Sequence, residues 1–581
     1  MRAQQFGYCL ALALLALPTA AQAMLQISKH KTQNMDCSGG VCTPTAQNAV
    51  LNVNDLTAML AAGDLKIVAG GDATNIKVIS PFTWASRSLL TLSAYKSVLV
   101  NAAITAAGRG SLAVVTNTSG QGGDFVLSDT GSVTFWDLRS SFILNGNTYT
   151  VIGDIATLAT DITANPSGLY ALAKDYDAHA DGPYARSPIL TVFTGTFLGL
   201  GHTISNLSIV NGNTTDKQIG LFYELGTDSV LSDLNLASVS FELGATSDPE
   251  AYIGALAGVA RGRISHATIS GALSTTFDVK VGGLIGQNYG VISSSSARAT
   301  FTAKFGYPGG LVGDNWGTLS DCSALPTIQA SAGGGLVLSN EGQISGCHAS
   351  GSISAQGGAG GLATYSSGSI VDSSSSVSII SLTGEAGGLV EELDAGSIER
   401  SFATGSVTNQ MTVRGKTLDS RARDGAQKSS TITLGGLVGS SYYGRISESY
   451  STGSVVGVQS GHHGHSSKVG GLVGDQLQGK VSIYQSYSIG AVALNRGYVG
   501  GVIGYDGAAS GSNNTVLWDL QTSGIGDPGK GAGNIVYDKG LKGVTDGQLR
   551  HFPKGFDPDV WAVNPNINGG YPYLKANPPP S

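Results

Sequence analysis

Asp175, Asp177, His179 and Asp181 form the densest polar cluster in the first part of the chain, just ahead of Pro183. Carboxylates gathered in this way are what a sugar-cleaving site uses, one as acid and one as base or nucleophile; the same composition also makes a solvated loop. His462, His463 and His465 form a second cluster. A metal site needs three or four ligands with supporting partners, and no Asp, Glu or Cys group adjoins these imidazoles. None of the nine His is followed by Glu, so the zinc-peptidase pattern His-Glu-x-x-His is absent. No Gly-x-Ser-x-Gly nucleophile elbow occurs. Gly524 to Lys530 has the spacing of a phosphate loop, yet Gly531 stands where a Ser or Thr must hold magnesium. Asp129-Thr130-Gly131 has the form of one half of an aspartic-protease site, without the second copy that shares the proton. Gly120 to Val126 reads as a single calcium nonapeptide, of a kind that works in stacked tandem. The sequence therefore assigns no catalytic residue, no cofactor and no metal. It predicts a protein that acts by contact, with a carbohydrate-active β-helix enzyme, a polysaccharide lyase or hydrolase, as the rival reading.

What positions every side chain over much of the chain is a repeat. One phrase stands as Gly282-Gly283-Leu284-Ile285-Gly286, Gly309-Gly310-Leu311-Val312-Gly313, Gly435-Gly436-Leu437-Val438-Gly439 and Gly470-Gly471-Leu472-Val473-Gly474. Degenerate copies begin at Gly254, Gly334, Gly360, Gly387 and Gly500, and a weaker one surrounds Gly220-Leu221-Phe222. From Gly282 to Gly309 is 27 residues, and most of the other steps are close to it. Each phrase is followed by a turn and a second phrase, as in Asn315-Trp316-Gly317-Thr318-Leu319-Ser320 or Tyr443-Gly444-Arg445-Ile446-Ser447. Apolar or β-branched residues alternate with Ser and Thr over five to seven positions, which is the period of a half-buried strand, and no helical period runs through 215–510. Each repeat is expected to be two or three short strands joined by tight corners. One such unit cannot bury enough apolar area to offset the cost of ordering it, so the units must stack, and the fold class predicted is all-β, a β-solenoid with short capping elements. The motif glycines are assigned either to close backbone approach or to positive φ at a corner.

Composition agrees with this organisation. Of 581 residues 84 are Gly and only 13% are charged, yet 41% are hydrophobic, which separates the chain from low-complexity disorder. Net charge is −7, so no electrostatic footprint for nucleic acid is present. Met1-Arg2 followed by an apolar run from Leu10 to Leu17 and Ala21-Gln22-Ala23 reads as a secretory signal peptide. No later segment has the length of a transmembrane helix. A secreted, cell-surface or periplasmic location follows.

Around the array, Asn54 to Gly63 is expected to be a short helix capping the solenoid, 152–165 a second helix, and Tyr170 to Ala173 a strand. The organisation predicted is a signal peptide at 1–23, an N-terminal cap and solenoid portion at 24–150, a linking segment at 151–214, the array at 215–510 and a C-terminal capping segment at 511–581. Two insertions interrupt the period, near 409–430 and 457–468. The first carries Arg414, Lys416, Arg421, Arg423 and Lys428 and is a candidate contact loop, or a solvated tolerated insertion. Cys37 and Cys42 enclose only four residues, which in an oxidising compartment predicts a small-loop disulfide, with metal binding as the competing reading. Cys322 and Cys347 are one repeat apart. They are expected on adjacent rungs, either as a stacked disulfide or as buried apolar fillers.

The Gly-Gly-Leu-Val-Gly copies resemble the GLUG motif of bacterial surface proteins, a repeat also present in some immunoglobulin A peptidases. Gly195-Thr196-Phe197-Leu198-Gly199-Leu200-Gly201-His202-Thr203-Ile204-Ser205-Asn206-Leu207 resembles the phrase that introduces such arrays. Trp518-Asp519, Gly540 to Thr545, Trp561 and Gly569 to Leu574 are similar to the closing segment. The front portion, from Cys37-Ser38-Gly39-Gly40-Val41-Cys42 to Val133-Thr134-Phe135-Trp136, resembles filamentous-haemagglutinin-type proteins. This resemblance implies a right-handed parallel β-helix, secreted or surface-exposed, serving in adhesion or as a structural stalk. It implies as partner a host or bacterial surface component or glycan, and it carries no chemistry.

Overall fold

The computed structural model describes residues 24–579 apart from 72, 215, 247–250, 383, 410–430, 459–465, 478–480 and 508–512. The chain forms two compact units, Met1–Thr148 and Tyr149–Ser581.

In the first unit, parallel strands recur at each pass of the chain. Met24–Ser28 lies between Ala49–Asn52 and Asn75–Val78, and the ladder continues through Val98–Val100 to Phe125–Leu127. A second ladder runs from Val41–Pro44 through Leu65–Ala69, Leu89–Ala94 and Ser111–Val115 to Phe142–Leu144. Met35–Ser38 and Val41–Pro44 form an antiparallel hairpin that places Cys37 opposite Cys42, and the two are disulfide-bonded. Gly39 and Gly40, at φ 56° and 76°, supply the positive φ that a two-residue hairpin turn requires. The helix Val53–Ala62 starts where Asn52 accepts from the Asn54 amide and ends at Gly63, and it buries Val53, Leu56 and Leu60. The Leu60 carbonyl, left without a helical partner, accepts from the hydroxyls of Ser86 and Ser88 at 2.6 and 2.7 Å.

The second unit opens within the strand Asn147–Ile152, which leads into the helix Ile155–Ala164, capped by Asp154 and burying Ile155, Leu158 and Ile162. The strand Leu169–Leu172 follows, and then the array. The whole is all-β with long parallel sheets, compatible with a β-solenoid. Two of these sheets have ten strands each, one strand from each of ten successive repeats. One repeat reads Tyr307–Gly309, Val312–Asn315, Thr318–Ser320, Ser323–Ala324 and Thr327–Ala330. This is more than the two or three strands expected, because a corner at Asp321 and another at Leu325-Pro326 divide what reads in sequence as one alternating stretch.

Register converts each repeat position into a column. Gly254, Gly282, Gly309, Gly334, Gly360, Gly387, Gly435, Gly470 and Gly500 are paired in line through the first ten-stranded sheet. An added Cβ at Gly282, Gly309 or Gly435 would lie 1.8, 1.9 or 1.7 Å from the carbonyl oxygen three residues on, where the chain turns into the second sheet. The next glycine meets its own counterpart: a Cβ at Gly310 would lie 2.0 Å from the Gly335 oxygen, and at Gly436 2.0 Å from the Gly471 oxygen. Close approach, not positive φ, is what these glycines provide. The positive φ falls on a different corner and mostly on other residue types: Asp233, His266, Ser294, Asp321, Asp372, Arg400, Glu448 and Gln485 lie between 42° and 56°, and Gly346, the one glycine at this corner, is at 61°.

Inside, the motif leucines Leu284, Leu311, Leu336, Leu362, Leu389, Leu437 and Leu472 are fully buried in one file. Beside them the amides of Asn288, Asn315 and Asn340 form a ladder. Asn288 Nδ2 donates to Asn315 Oδ1 and Asn315 Nδ2 to Asn340 Oδ1, each at 2.8 Å, and Asn340 Nδ2 donates to Ser366 Oγ at 3.1 Å. An amide stacks on its own kind because it carries both donor and acceptor. The segment expected as a terminal cap begins as further strands: Asn513–Asp519 and Leu541–Val544 extend the parallel ladder. The chain then turns back along the outside. Phe402, Tyr450 and Tyr487 stack at ring-centroid distances of 4.8 and 5.0 Å, and Trp561, Tyr571 and Leu574 cover them. Asn577 Nδ2 reaches the carbonyls of Ser373 and Arg400 at 3.2 and 3.4 Å. No helix among the described residues is long and apolar enough to cross a membrane.

Gly436→Ala should lower the denaturant midpoint of the full mature chain by an amount equivalent to about 3 kcal/mol or more, since the new methyl would stand 2.0 Å from the Gly471 carbonyl oxygen, which is backbone and cannot swing aside, and 2.8 Å from Ser451 Oγ. Gly547→Ala, in the short helix Asp546–Leu549 with nothing within 4 Å, should be neutral or stabilising.

Candidate binding surface

The four polar residues ahead of the array are each engaged locally. Asp175 accepts from the Thr203 amide at 2.9 Å and faces His202 Nδ1 at 3.2 Å. Asp177 accepts from Asn206 Nδ2 at 2.8 Å and from the His179 amide at 3.0 Å, and these bonds lower its pKa. Asp181 accepts from the Tyr184 hydroxyl at 2.6 Å and from the Tyr176 hydroxyl, and both phenols are raised, first by burial and then by this carboxylate. The group caps a short 3-10 turn, Ala178–Asp181, and fastens it to the next rung. Gly524 to Lys530 forms a turn in which Asp527 accepts from the Gly529 amide at 2.9 Å. Arg414, Lys416, Arg421, Arg423, Lys428 and the three histidines of the second insertion lie outside the described residues. Among the described residues no group of three or more His, Cys, Asp or Glu is disposed to hold a metal ion.

Cys322 and Cys347 are buried free thiols on adjacent rungs, not a disulfide, and they are not apolar fillers either. They occupy a serine ladder. At this corner the residue after the positive-φ position points inward and accepts the backbone N–H of the preceding rung: Ala267 N to Ser295 Oγ at 3.1 Å, Cys322 N to Cys347 Sγ at 3.4 Å, then Cys347 to Ser373, Ser373 to Ser401, Ser401 to Ser449 and Ser449 to Ser486, each at 3.1 Å. Each side chain in turn donates to the carbonyl two residues before it, as Ser373 does to Val371 at 2.8 Å and Cys347 to Ser345 at 3.3 Å. The neighbouring Cys322 side chain and burial push the Cys347 thiol well up, against the smaller opposing effect of the Cys322 N–H.

Two grooves open on the outside of the second unit. The first, of about 620 Å³, lies on the strand face just beyond the end of the C-terminal segment, between Ser296, Ser323, His348, Ser374, Phe402 and Pro578. His348 Nδ1 lies 2.8 Å from Ser374 Oγ, and burial lowers the imidazole pKa, so the ring is neutral at pH 7 and forms a hydrogen-bonding pair with the hydroxyl. The second groove, of about 550 Å³, follows the corner after the Asn ladder, beginning at Trp316 and passing Glu341, Ser367 and Ala395. Above it the outward column is aromatic. Arg261 sits 4.5 Å from the Tyr289 ring centroid, held by Glu224 at 2.8 Å, and Tyr289 stacks on Trp316 at 6.4 Å and 21°. Trp316 is 52% exposed and Tyr289 42%. From sequence alone Trp316 is part of a turn phrase. The available signal was the aromatic directly before the corner glycine in Tyr289-Gly290 and again, 27 residues on, in Trp316-Gly317.

A third outer feature is acidic. Glu391 stands where other repeats have Gly286, Gly313, Gly439 and Gly474, and its carboxyl lies against Gly358. Burial, with Glu385 and Glu392 nearby, pushes it up to about 8.

Cys347→Ser should preserve the ladder and change stability by less than about 1 kcal/mol, whereas Cys347→Val leaves the Cys322 amide unpaired and should cost about 1–3 kcal/mol, both read from denaturant midpoints. Both thiols should resist an alkylating probe until the chain unfolds. Glu391 binds its proton more tightly folded than unfolded, so stability should fall as pH rises from the ordinary carboxylate range towards about 8. Glu391→Gln should raise the midpoint at pH 8 more than at pH 5.

Residues 430–456 match the family model described as the GLUG motif. The strands from Thr433–Gly435 through Val438–Tyr442, Arg445–Ser447 and Tyr450–Ser451 to Val455–Gly457 fall within or at the edge of that span, so the match corresponds to one repeat. The chain is 34% identical over 138 residues to halomucin of Haloquadratum walsbyi (strain DSM 16790 / HBSQ001), covering 22% of this chain and 1% of that protein. A solved structure of IgA1 Protease aligns over 65% of this chain and 23% of that one, at 17% identity and a TM-score of 0.24. The chain thus spans only a small part of the length of the proteins it matches, and what it shares at the level of a named motif is GLUG.

Proposed function

We propose that the protein is an exported, surface-associated, non-enzymatic β-solenoid of the right-handed parallel type, acting in adhesion or as a structural stalk. In this reading 1–23 is removed on export and the solenoid resembles the filamentous-haemagglutinin type. The observation that carries the proposal is the register itself: Gly254 to Gly500 in one paired file, with outward columns held in line beside it. Such a scaffold spends its sequence on stacking and repeats its outer positions at the spacing of one strand, about 4.8 Å. Repetition of weak contacts along a stiff support gives attachment without a deep pocket. The GLUG match and the halomucin similarity support a surface-associated role. The partner is a component of a host or bacterial surface.

The test is attachment. Beads coated with the purified mature chain should adhere to target cells and be displaced by soluble protein, and protease applied to intact producing cells should cleave it. Protein retained in the cytoplasm with residues 1–23 intact, or steady release of reducing ends from a polysaccharide panel, would overturn the proposal, the latter in favour of a carbohydrate-active enzyme.

A further inference from the structure

The column of Arg261, Tyr289 and Trp316 is a stack that stops. Guanidinium lies on phenol and phenol on indole, each contributed by a successive rung. On the next rungs the same outward position holds Glu341 and then Ser367, whose amides bond one rung back to Asn315 and Asn340 just as the Trp316 amide bonds to Asn288. The groove of about 550 Å³ begins at Trp316. One flank of the indole is therefore filled by Tyr289, and the groove occupies the place where the following members of the stack would stand.

The floor of that groove is backbone. Gly317, Gly342 and Gly368 follow one another, and a Cβ on any of them would lie 2.0 to 2.1 Å from the carbonyl oxygen of the glycine one rung before. No side chain can rise there, so the trough stays open across the rungs. Its walls carry Thr318, Gln343, Ser367, Ser369 and Ser397, with Glu341 the single carboxylate and no cationic side chain among the lining residues. Backbone amides along it are already paired rung to rung, as Gln343 N with Gly317 O and Ser369 N with Gly342 O. An added peptide strand would find few free partners, and a globular protein would find no apolar pocket for an anchor. A pyranose ring has an apolar C–H face and a rim of hydroxyls. The face suits an exposed indole, whose π-system is negative above the ring, and the rim suits hydroxyl and amide side chains. Successive sugars of a linear chain advance by a distance similar to one rung. The absence of a lining cation and the presence of Glu341 disfavour acidic glycans.

We propose that this groove binds a linear neutral glycan, with one sugar ring stacked on Trp316 and the following residues lying over Gly342 and Gly368. The inference deepens the contact function proposed above and rests on it for its biological meaning. Trp316, Gln343 and Ser369 are the binding residues.

The experiment is titration of the full mature chain with the neutral sugars cellohexaose, chitohexaose, xylohexaose and mannohexaose, and with polygalacturonate as the acidic comparison, followed by calorimetry and indole fluorescence, on the wild type, Trp316→Ala, Trp316→Phe and Gln343→Ala. Trp316 is half exposed, so its removal should leave the circular dichroism and the unfolding midpoint unchanged. At least one hexasaccharide should bind, Trp316→Ala should weaken it about tenfold or more, and Trp316→Phe should retain most of the affinity. No binding by any of the four sugars, equal binding by Trp316→Ala, or preferential binding of polygalacturonate would overturn the assignment. Bead attachment separates this from the broader function. Wild-type and Trp316→Ala beads adhering equally would sink the groove and leave the contact function standing, whereas sugar binding without any bead attachment would do the reverse.

Discussion

Parallel hydrogen bonding of each repeat to the next, in register, is the constraint on which the rest of the second unit depends. In a parallel ladder without offset, every side chain has its own repeat position directly above and below it. A residue is tolerated inside where it packs on, or hydrogen-bonds to, what stands at the same position one rung away. Leucine does so by shape, asparagine by offering an amide donor to an amide acceptor, and serine by accepting an N–H from one rung while donating to a carbonyl within its own. Where backbone meets backbone, as at Gly310 and Gly335, only hydrogen fits. The positive-φ corner follows from the same geometry. Asp321 and its counterparts accept a conformation costing roughly 1 kcal/mol each, and the turn they make aims the next side chain, Leu234 first and Ala, Ser or Cys on later rungs, inward, where Ser and Cys accept an amide of the neighbouring rung. Individually weak bonds gain from repetition, since loss of one member disturbs the partners on both sides.

Some of this was legible in the sequence. The glycine file was, because steric exclusion leaves one residue type and the phrase repeats; the closeness of Cys37 and Cys42 was, because only four residues separate them, although the antiparallel hairpin that joins them was not. The helix Ile155–Ala164 showed itself by its apolar spacing. The positive-φ corner was hidden, because Asp, His, Ser, Arg and Glu have no common sequence signature and glycine suggests itself first. The bonding of Cys322 and Cys347 was hidden for a related reason. Spacing places them one rung apart, but only alignment with Ser295 and Ser373 reveals that a thiol replaces a hydroxyl in a ladder. Return of the C-terminal segment over Phe402, Tyr450 and Tyr487 depends on contacts such as Asn577 with Ser373, between parts of the chain far apart in sequence.

The candidate surface was less legible than the core, again for a physical reason. Inner columns must be near-uniform, so their repetition is visible. Outer columns are free to vary, and Arg261, Tyr289, Trp316, Glu341 and Ser367 share no type, although the fold places them in one line. Function is expected in that freedom. Polar clusters that stand out in sequence, such as Asp175 to Asp181, are spent on fastening one turn to the next.

In-register parallel stacking can be tested by covalent reach. Thr300 and Thr327 are register partners on neighbouring strands and both are exposed, while Gln329 lies two residues further along the second strand. Paired strands stand about 4.8 Å apart, within the span a disulfide bridges, and a two-residue offset exceeds it. Under mild oxidation the double variant Thr300→Cys with Thr327→Cys should form an intramolecular disulfide rapidly and completely, and Thr300→Cys with Gln329→Cys should not. Efficient cross-linking of the offset pair, or failure of the in-register pair in a chain that retains its β circular dichroism, would contradict the stacked architecture.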